Sequence, residues 1–415
     1  MAIPRLSLFL VLVAAFGPLV YNAVRRELTV LGVYRTPAAT ASSQEIYKIP
    51  DTLQCEDLHY YAPGNVIFTA CEDSIIPRFR WFPPLVHLDG PPETTGSIHI
   101  IDPQTLQSTR LAFEKFAGPF VTHGIDVIQD PDRADAVYIF AVNHLGNPDQ
   151  GPVLGTPKAR SQVEVFHHVL KMNTVQHVRS VQHPLVATPN DLYAASPSSF
   201  YATNDHYYRE GLMRQIEDLT LITKWTNVVH VQFDPSTPGD GALGVNATVA
   251  LPNLRSANGL GHGRNAEEII VASVLGGRIW LTKPDDTSTG ALSIQGEILL
   301  DGSLDNPSYY EDPYRTDDDD MSGYVLAGLG RAIDLPKTHH DPEATESVIV
   351  WYAKWNEQQK AWEKKILFED DGSKIRSASV AVMVPLEPGV DRKKEALLFV
   401  SGFISNNVVA VKVAL

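Results

Sequence analysis

"TPNDLYAASPSSFYATNDHYY", residues 188–208, holds one Asn-Asp pair at 190–191 and a second at 204–205, each at the edge of a run that reads as β-strand. Asn and Asp in such places ordinarily form turns, bonding their own backbone. Recurrence at an interval gives such a pair a second meaning, and this phrase recurs. The polar starts "CEDL", "HGID", "PNDL", "ANGL", "LDNP" and "ASV" carry Glu56, His123, Asn190, Asn258, Asp305 and Ser379, at intervals of 67, 67, 68, 47 and 74 residues. Each is followed by an apolar strand: "NVIFTA", "AVYIFAV", "SSFYAT", "EIIVASV", "GYVLAGL" and "ALLFVSG". A further strand follows each, from "GSIHIID" in the first repeat to "NVVAVKV" in the last. β-Branched and aromatic residues fill these runs, and Gly, Pro, Asn and Asp separate them. Six repeats, each long enough for one four-stranded sheet, predict an all-β chain folded as a six-bladed β-propeller. A β-sandwich with extra hairpins competes, but it gives no reason for polar starts to repeat. One stretch departs from the pattern. Leu212, Ile216, Leu219 and Ile222, within 210–223, are spaced for a short amphipathic helix.

The 415 residues are 44% hydrophobic and 20% charged, a globular composition. A formal net charge of −15, with no basic stretch interleaved with aromatics, argues against nucleic acid as a partner. Leu6 to Tyr21 form an apolar run after Arg5 and before Arg25 and Arg26, interrupted at Pro18 and lacking a small-x-small cleavage signal. Residues 1–25 therefore read as a signal peptide or signal anchor, and 26–415 as the propeller domain. A retained segment would allow membrane or lipid association. Cys55 and Cys71, the two cysteines, lie at similar distances from the Pro63-Gly64-Asn65 turn, which predicts a disulfide across the first hairpin. Asn246, with Thr248, is an N-glycosylation acceptor that fits the same secretory compartment.

Equivalent positions of propeller blades face one central channel. Glu56, Asn190, Asn258, Asp305 and Asn306 would meet there from four blades, offering oxygen and no sulfur. Ca²⁺ takes six to eight such oxygens, whereas zinc prefers nitrogen and sulfur in four-coordination.

Read in order, these motifs resemble those of the serum paraoxonase/arylesterase family. "PNDLYAASPSSFYATNDHYY" resembles its LND…FYGTNDHY block, "CEDL" its SEDLE, "HGID" its PHGI, "AVNH" its VVNH, "ANGL" its FANGI and "LDNP" its VDNI. The resemblance runs from about residue 55 to the C-terminus. It implies a calcium-dependent lactonase or arylesterase on a six-bladed propeller, with two calcium ions. Carried over residue by residue, the catalytic calcium falls on Glu56, Asn190, Asn258, Asp305 and Asn306. A structural calcium falls on Asp57, Asp191 and the backbone carbonyl of Ile125, and a proton-transfer dyad on His123 and His144. Asp205 and His206 match the TNDHY motif, which helps to position the dyad.

Departures from the family pattern concern the substrate pocket, a cysteine staple and the rim. Ser256 stands where the family has an aromatic, the family's C-terminal cysteine has no counterpart, and insertions occur near 145–160 and around the solvated acidic run Asp317 to Asp320. The expected reaction is water attack on a calcium-polarised carbonyl of a small lactone or ester, with His123 as base and His144 orienting it or relaying the charge. Glu56 and Asp305 stand as alternative bases. No G-x-S-x-G elbow occurs, and "GLGHGR" at 259–264 lacks the strand and helix a phosphate loop needs. Two other readings share the fold: a non-catalytic calcium-stabilised binding module, and a sugar-lactone hydrolase of a related propeller family.

Overall fold

A computed structural model describes residues 18–41, 44–90, 92, 95–149, 155–220, 223–237, 241–285, 289–389 and 393–415. The second strand of each repeat is buried on both faces; every residue of Ile269–Ser273 and of Gly323–Leu329 is buried. A strand covered on both sides has no reason to alternate, which is why these runs are continuously apolar. Outermost strands such as Ala361–Asp370 are largely exposed.

The sheets form the six blades expected. The first holds Leu58–Tyr61, Val66–Cys71, Ser97–Asp102 and Gln107–Arg110. The second has five strands rather than four: Thr122–Asp130, Arg133–Gly146, Ala159–Val169, Thr174–Val181, and Ala112–Glu114 parallel at its edge. The innermost strands of the third, fourth and fifth are Pro189–Ser196, Ala257–His262 and Pro307–Tyr310. The sixth runs from Ala378–Leu386 to Val409–Ala414 and takes its outer strand, Ile46–Lys48, from the other end of the chain, with Ile46 opposite Val411. That pairing closes the ring. Six hydrophobic clusters each lie between consecutive blades, the closing one joining Leu58, Ile67 and Ile101 to Val380, Phe399 and Ala410.

Aspartates reinforce three of these joints from the axis. Asp57 accepts the N–H of its own Leu58 (2.8 Å) and of Ile125 in the next blade (3.0 Å). Asp126 does the same for Val127 and Ala194, and Asp191 for Leu192 and Leu260. Close approach of the inner strands needs glycine at two of the motifs. A Cβ on Gly124 would lie 2.3 Å from Asp191 Oδ1, and one on Gly259 2.4 Å from Asn306 Cα.

Uneven intervals between polar starts reflect insertions. The hairpin Trp81–Phe82/His87–Leu88 follows the first blade's second strand, the helix Leu212–Leu219 interrupts the third blade, and helical turns at 332–338 interrupt the fifth. The fourth blade has no helical insertion among its described residues and gives the short interval of 47. The helix at 212–219 is shorter than its periodicity suggested, and Ile222 lies outside the described residues. Its stripe is turned outward: Arg214 and Glu217 are buried, whereas Leu212 and Leu219 are exposed. The expected N-terminal apolar segment falls mostly outside the described residues; a helix covers 18–30 and runs on through residue 25. Arg26 anchors it by donating to the carbonyls of Gly277 and Leu300, and Glu27 pairs with Arg255. No helix among the described residues is long and apolar enough to cross a membrane.

Cys55 and Cys71 are disulfide-bonded. The hairpin register pairs Leu58 with Thr69, so Cys55 lies just before the strand and the bridge ties the blade's entry to the end of its second strand. Ser401 of the last blade bonds the Cys55 carbonyl, which places the bridge at the ring's closure. Replacing both cysteines by serine should leave a folded propeller that is less stable by about 3 kcal/mol, the loop-closure value for a bridge of this span. Denaturant unfolding with an unchanged midpoint would show the bridge to be dispensable.

Candidate active site at the channel floor

The polar starts converge where the sequence places them. Glu56, Asn190, Asn258 and Asp305 line one cavity of about 690 Å³ with His123, and Asn306 joins them through a bond from its Nδ2 to Glu56 Oε1 (2.8 Å). The Ser379 hydroxyl holds the Glu56 carbonyl, and Thr203 Oγ1 donates to the Asn258 carbonyl at 2.5 Å. The backbone around the ring is thereby satisfied while one oxygen of each side chain is not. Glu56 Oε2, Asn190 Oδ1, Asn258 Oδ1, Asp305 Oδ1 and Asn306 Oδ1 are all covered from solvent and without a protein partner. A covered, unbonded oxygen is costly, and five from one predicted set point to a bound species. Oxygen-only donors, two of them carboxylates, fit a hard divalent cation such as calcium.

Electrostatics agree. Burial, then the charges of Asp305 and Asp57, push Glu56 well above the usual carboxylate range. Burial and the charge of Asp57 do the same to Asp305, whose side chain is partly open to the cavity. Behind this ring Asp57, pushed up to about 7 by burial, is bonded to Asp191, itself raised by burial and by Asp57. All four oxygens of that pair accept backbone N–H groups, so the second expected ion site shows no orphaned oxygen. Its argument is the shared burial of two like charges, which need a proton or a cation between them.

The two histidines meet. His123 Nδ1 lies 3.0 Å from His144 Nε2, and His144 Nδ1 lies 2.7 Å from Ser161 Oγ. His123 Nε2 is 3.9 Å from Glu56 Oε1. Burial lowers His123 to about 3 and takes His144 well below its ordinary value, so both rings are neutral near pH 7. Asp205 pairs with His206 (3.0 Å) rather than bonding the dyad, and His206 also binds Asp218 (2.8 Å) on the inserted helix. Burial alone would raise Asp205; the His206 charge overrides it and holds Asp205 well below the usual range.

Sequence reasoning missed the roof. Phe82 packs edge-on against both His123 and His144 and is itself covered by Arg78, whose guanidinium sits 4.4 Å from its ring centre. Arg78 is fully buried, pairs with Glu72 (2.8 Å), and donates to the Thr122 and Phe403 carbonyls. Neither belongs to a repeated motif. An arginine inside "IIPRFRWF" was the available signal, since a cation among apolar residues needs a buried partner. Leu85, Val86, Val274, Leu275 and Leu335 complete an apolar wall, and Ser256 faces the same space.

The model of the arylesterase family matches residues 72–385. This chain belongs to that family. It is 31% identical to serum paraoxonase/arylesterase 2 of Bos taurus over 210 residues, 50% of this chain and 49% of that one. It is 25% identical to serum paraoxonase/lactonase 3 of Oryctolagus cuniculus over 301 residues, 70% and 72% of the two chains. The chain thus spans about half the length of the first of these relatives. A solved luciferin-regenerating enzyme aligns with a TM-score of 0.46 at 11% identity, covering 89% of this chain and 95% of that one.

The raised carboxylates give a signed prediction for the metal-free protein. Groups whose folded values are raised bind protons that the unfolded chain releases, so their stabilisation is complete below the unfolded carboxylate range and lost as pH rises through the folded values. With Asp57 near 7 and the others raised, the melting temperature of metal-free protein should fall between about pH 5 and 8. Saturating calcium should remove most of that fall. Parallel melting curves with and without calcium across this range would contradict the assignment.

Proposed function

We propose that this member of the arylesterase family is a calcium-dependent hydrolase of lactones or aryl esters. The observation that carries this reading is the ring of five partnerless oxygens beside a bonded histidine pair, on the floor of an apolar-walled cavity. Glu56, Asn190, Asn258, Asp305 and Asn306 would hold the catalytic ion, and Asp57, Asp191 and the Ile125 carbonyl a second, structural one. When bound, calcium supplies positive charge against the carbonyl oxygen of the substrate and the oxyanion that forms on it. The leaving group of an ester, or the ring of a lactone, would rest on Leu85, Val274 and Leu335 of the apolar wall.

His123 takes the proton from the attacking water at Nε2. Its Nδ1–H faces His144 Nε2, and His144 can pass a proton toward Ser161 Oγ, so positive charge need not remain on one buried ring. Phe82 and Arg78 keep both rings in place and exclude water behind them. Burial keeps His123 unprotonated near neutral pH and also makes it a weak base, which the relay toward His144 and Ser161 offsets by spreading the charge. Glu56 Oε1, 3.9 Å from His123 Nε2, is the competing base.

The same reading places the protein in the secretory pathway. Its supports are the cysteine bridge and the exposed Asn246 on the outer strand Val245–Leu254, open to glycosylation. Exposed Leu19, Val20 and Tyr21 on the N-terminal helix, with Leu212 and Leu219 on the cavity-rim helix, would give a lipid-facing surface.

Turnover of a panel of aryl esters and lactones separates metal from base. Glu56→Gln and Asp305→Asn should lower activity and recover part of it at high calcium. His123→Gln should leave the calcium requirement unchanged and lower kcat by about 10²-fold, the usual contribution of a general base. Full kcat in His123→Gln would remove the dyad from the mechanism and transfer the base role to Glu56. No hydrolysis of any member by calcium-loaded protein would favour the binding-module reading.

A further inference from the structure

Among the described residues, two clusters of metal-type ligands lie outside the oxygen ring, and only one of them is held by an acid. On the far side of the ring, His59 and His262 both bond Asp126, whose oxygens also accept the N–H groups of Val127 and Ala194. Charge and hydrogen bonding are complete there. The other cluster contains no acid. His87, on the inserted hairpin, meets His339 and His340, which follow the short helix Leu335–Thr338, with three imidazole nitrogens within 4.8 Å of one another.

His87 is buried, and its Nδ1 lies 3.0 Å from the Arg78 carbonyl. Donation there fixes the tautomer and leaves Nε2 as the acceptor, the arrangement common to metal-binding histidines. That nitrogen faces His339 Nδ1 at 2.9 Å, with the two rings parallel within 6°. His340 lies against both, its ring centre 4.7 Å from that of His87 and 3.8 Å from that of His339. Burial and the neighbouring imidazoles lower His87 and bring His339 to about 4, so both are in the neutral form that binds metals.

We propose that His87, His339 and His340 form a transition-metal site of the zinc class that ties two inserted loops together at the mouth of the cavity. Imidazole nitrogen suits zinc and its neighbours, not oxygen-seeking calcium. Zinc–nitrogen bonds of about 2.0–2.1 Å set tetrahedral ligand atoms roughly 3.3 Å apart, so the 2.9 Å contact needs to open by a few tenths of an ångström. The proton on His339 Nδ1 moves to its Nε2, and no charge changes. Three protein ligands leave a fourth position, and His339 and His340 both line the cavity. The hairpin also accepts a bond from Arg214 of the third insertion at the Pro84 carbonyl (2.9 Å). A metal here would therefore stiffen the rim of the cavity, whatever the oxygen ring holds.

Titration of calcium-saturated protein with Co²⁺, followed by visible absorption and by zinc competition, reads this site separately from the oxygen ring. The expected result is one Co²⁺ per chain with a tetrahedral spectrum, displaced by zinc. His340 is exposed, so His340→Ala should fold normally; it and His339→Ala should each weaken binding by about 100-fold or more, at least the loss seen for outer-shell partners. The calcium-dependent melting transition should survive in both. Absence of a Co²⁺ spectrum would overturn the proposal. So would binding that is unchanged in both variants, or lost in His262→Ala instead.

Discussion

Four carboxylates, Glu56, Asp57, Asp191 and Asp305, are gathered on the axis of a ring of blades, and no Lys or Arg among the described residues pairs with any of them. Arg78, the nearest guanidinium to Glu56, is committed to Glu72. Charges so placed are intolerable unless protons or a cation neutralise them. Much of the architecture serves this constraint. Gly124 and Gly259 let the inner strands approach, Asp57, Asp126 and Asp191 clamp consecutive blades, and the Ser379 and Thr203 hydroxyls satisfy the carbonyls of the ring. What stays unsatisfied is one oxygen on each of five side chains, a donor set that suits a hard cation.

The blades were legible because their middle strands are covered on both faces and so appear as uninterrupted apolar runs. The ring was legible because Glu56, Asn190, Asn258 and Asp305 each sit at the same place in their repeats. Elements that depend on contacts far along the chain were not. The closing strand, Ile46–Lys48, is three mostly exposed residues whose identity as a strand comes only from Val409–Ala414. The hairpin at 81–88 has two residues in each strand, too few for any period, and is held by Arg78 and a cluster of Phe82, Val121 and Phe403. The helix at 212–219 was visible as periodicity, but not that its apolar side would face outward, because that depends on where Arg214 and Glu217 find partners.

The same division runs through the site. Motif residues build the floor, and insertions build the walls. On the proposed reading the floor sets the reaction class, a carbonyl held against positive charge with a base beside it. The walls decide what enters, and much of them comes from three insertions: the hairpin, which touches both the helix of the third blade and the turn that carries His339 and His340. Substrate choice on the proposed reading therefore rests largely on residues that no repeat predicts.

If cations replace protons on the buried carboxylates, binding must release those protons. Calorimetric titration of calcium into metal-free protein at about pH 6, repeated in buffers of different ionisation enthalpy, measures this directly. The account predicts saturable binding whose heat changes with the buffer because protons leave Glu56, Asp57, Asp191 and Asp305 as the ions enter. Absence of binding, or binding whose heat is the same in every buffer, would contradict it.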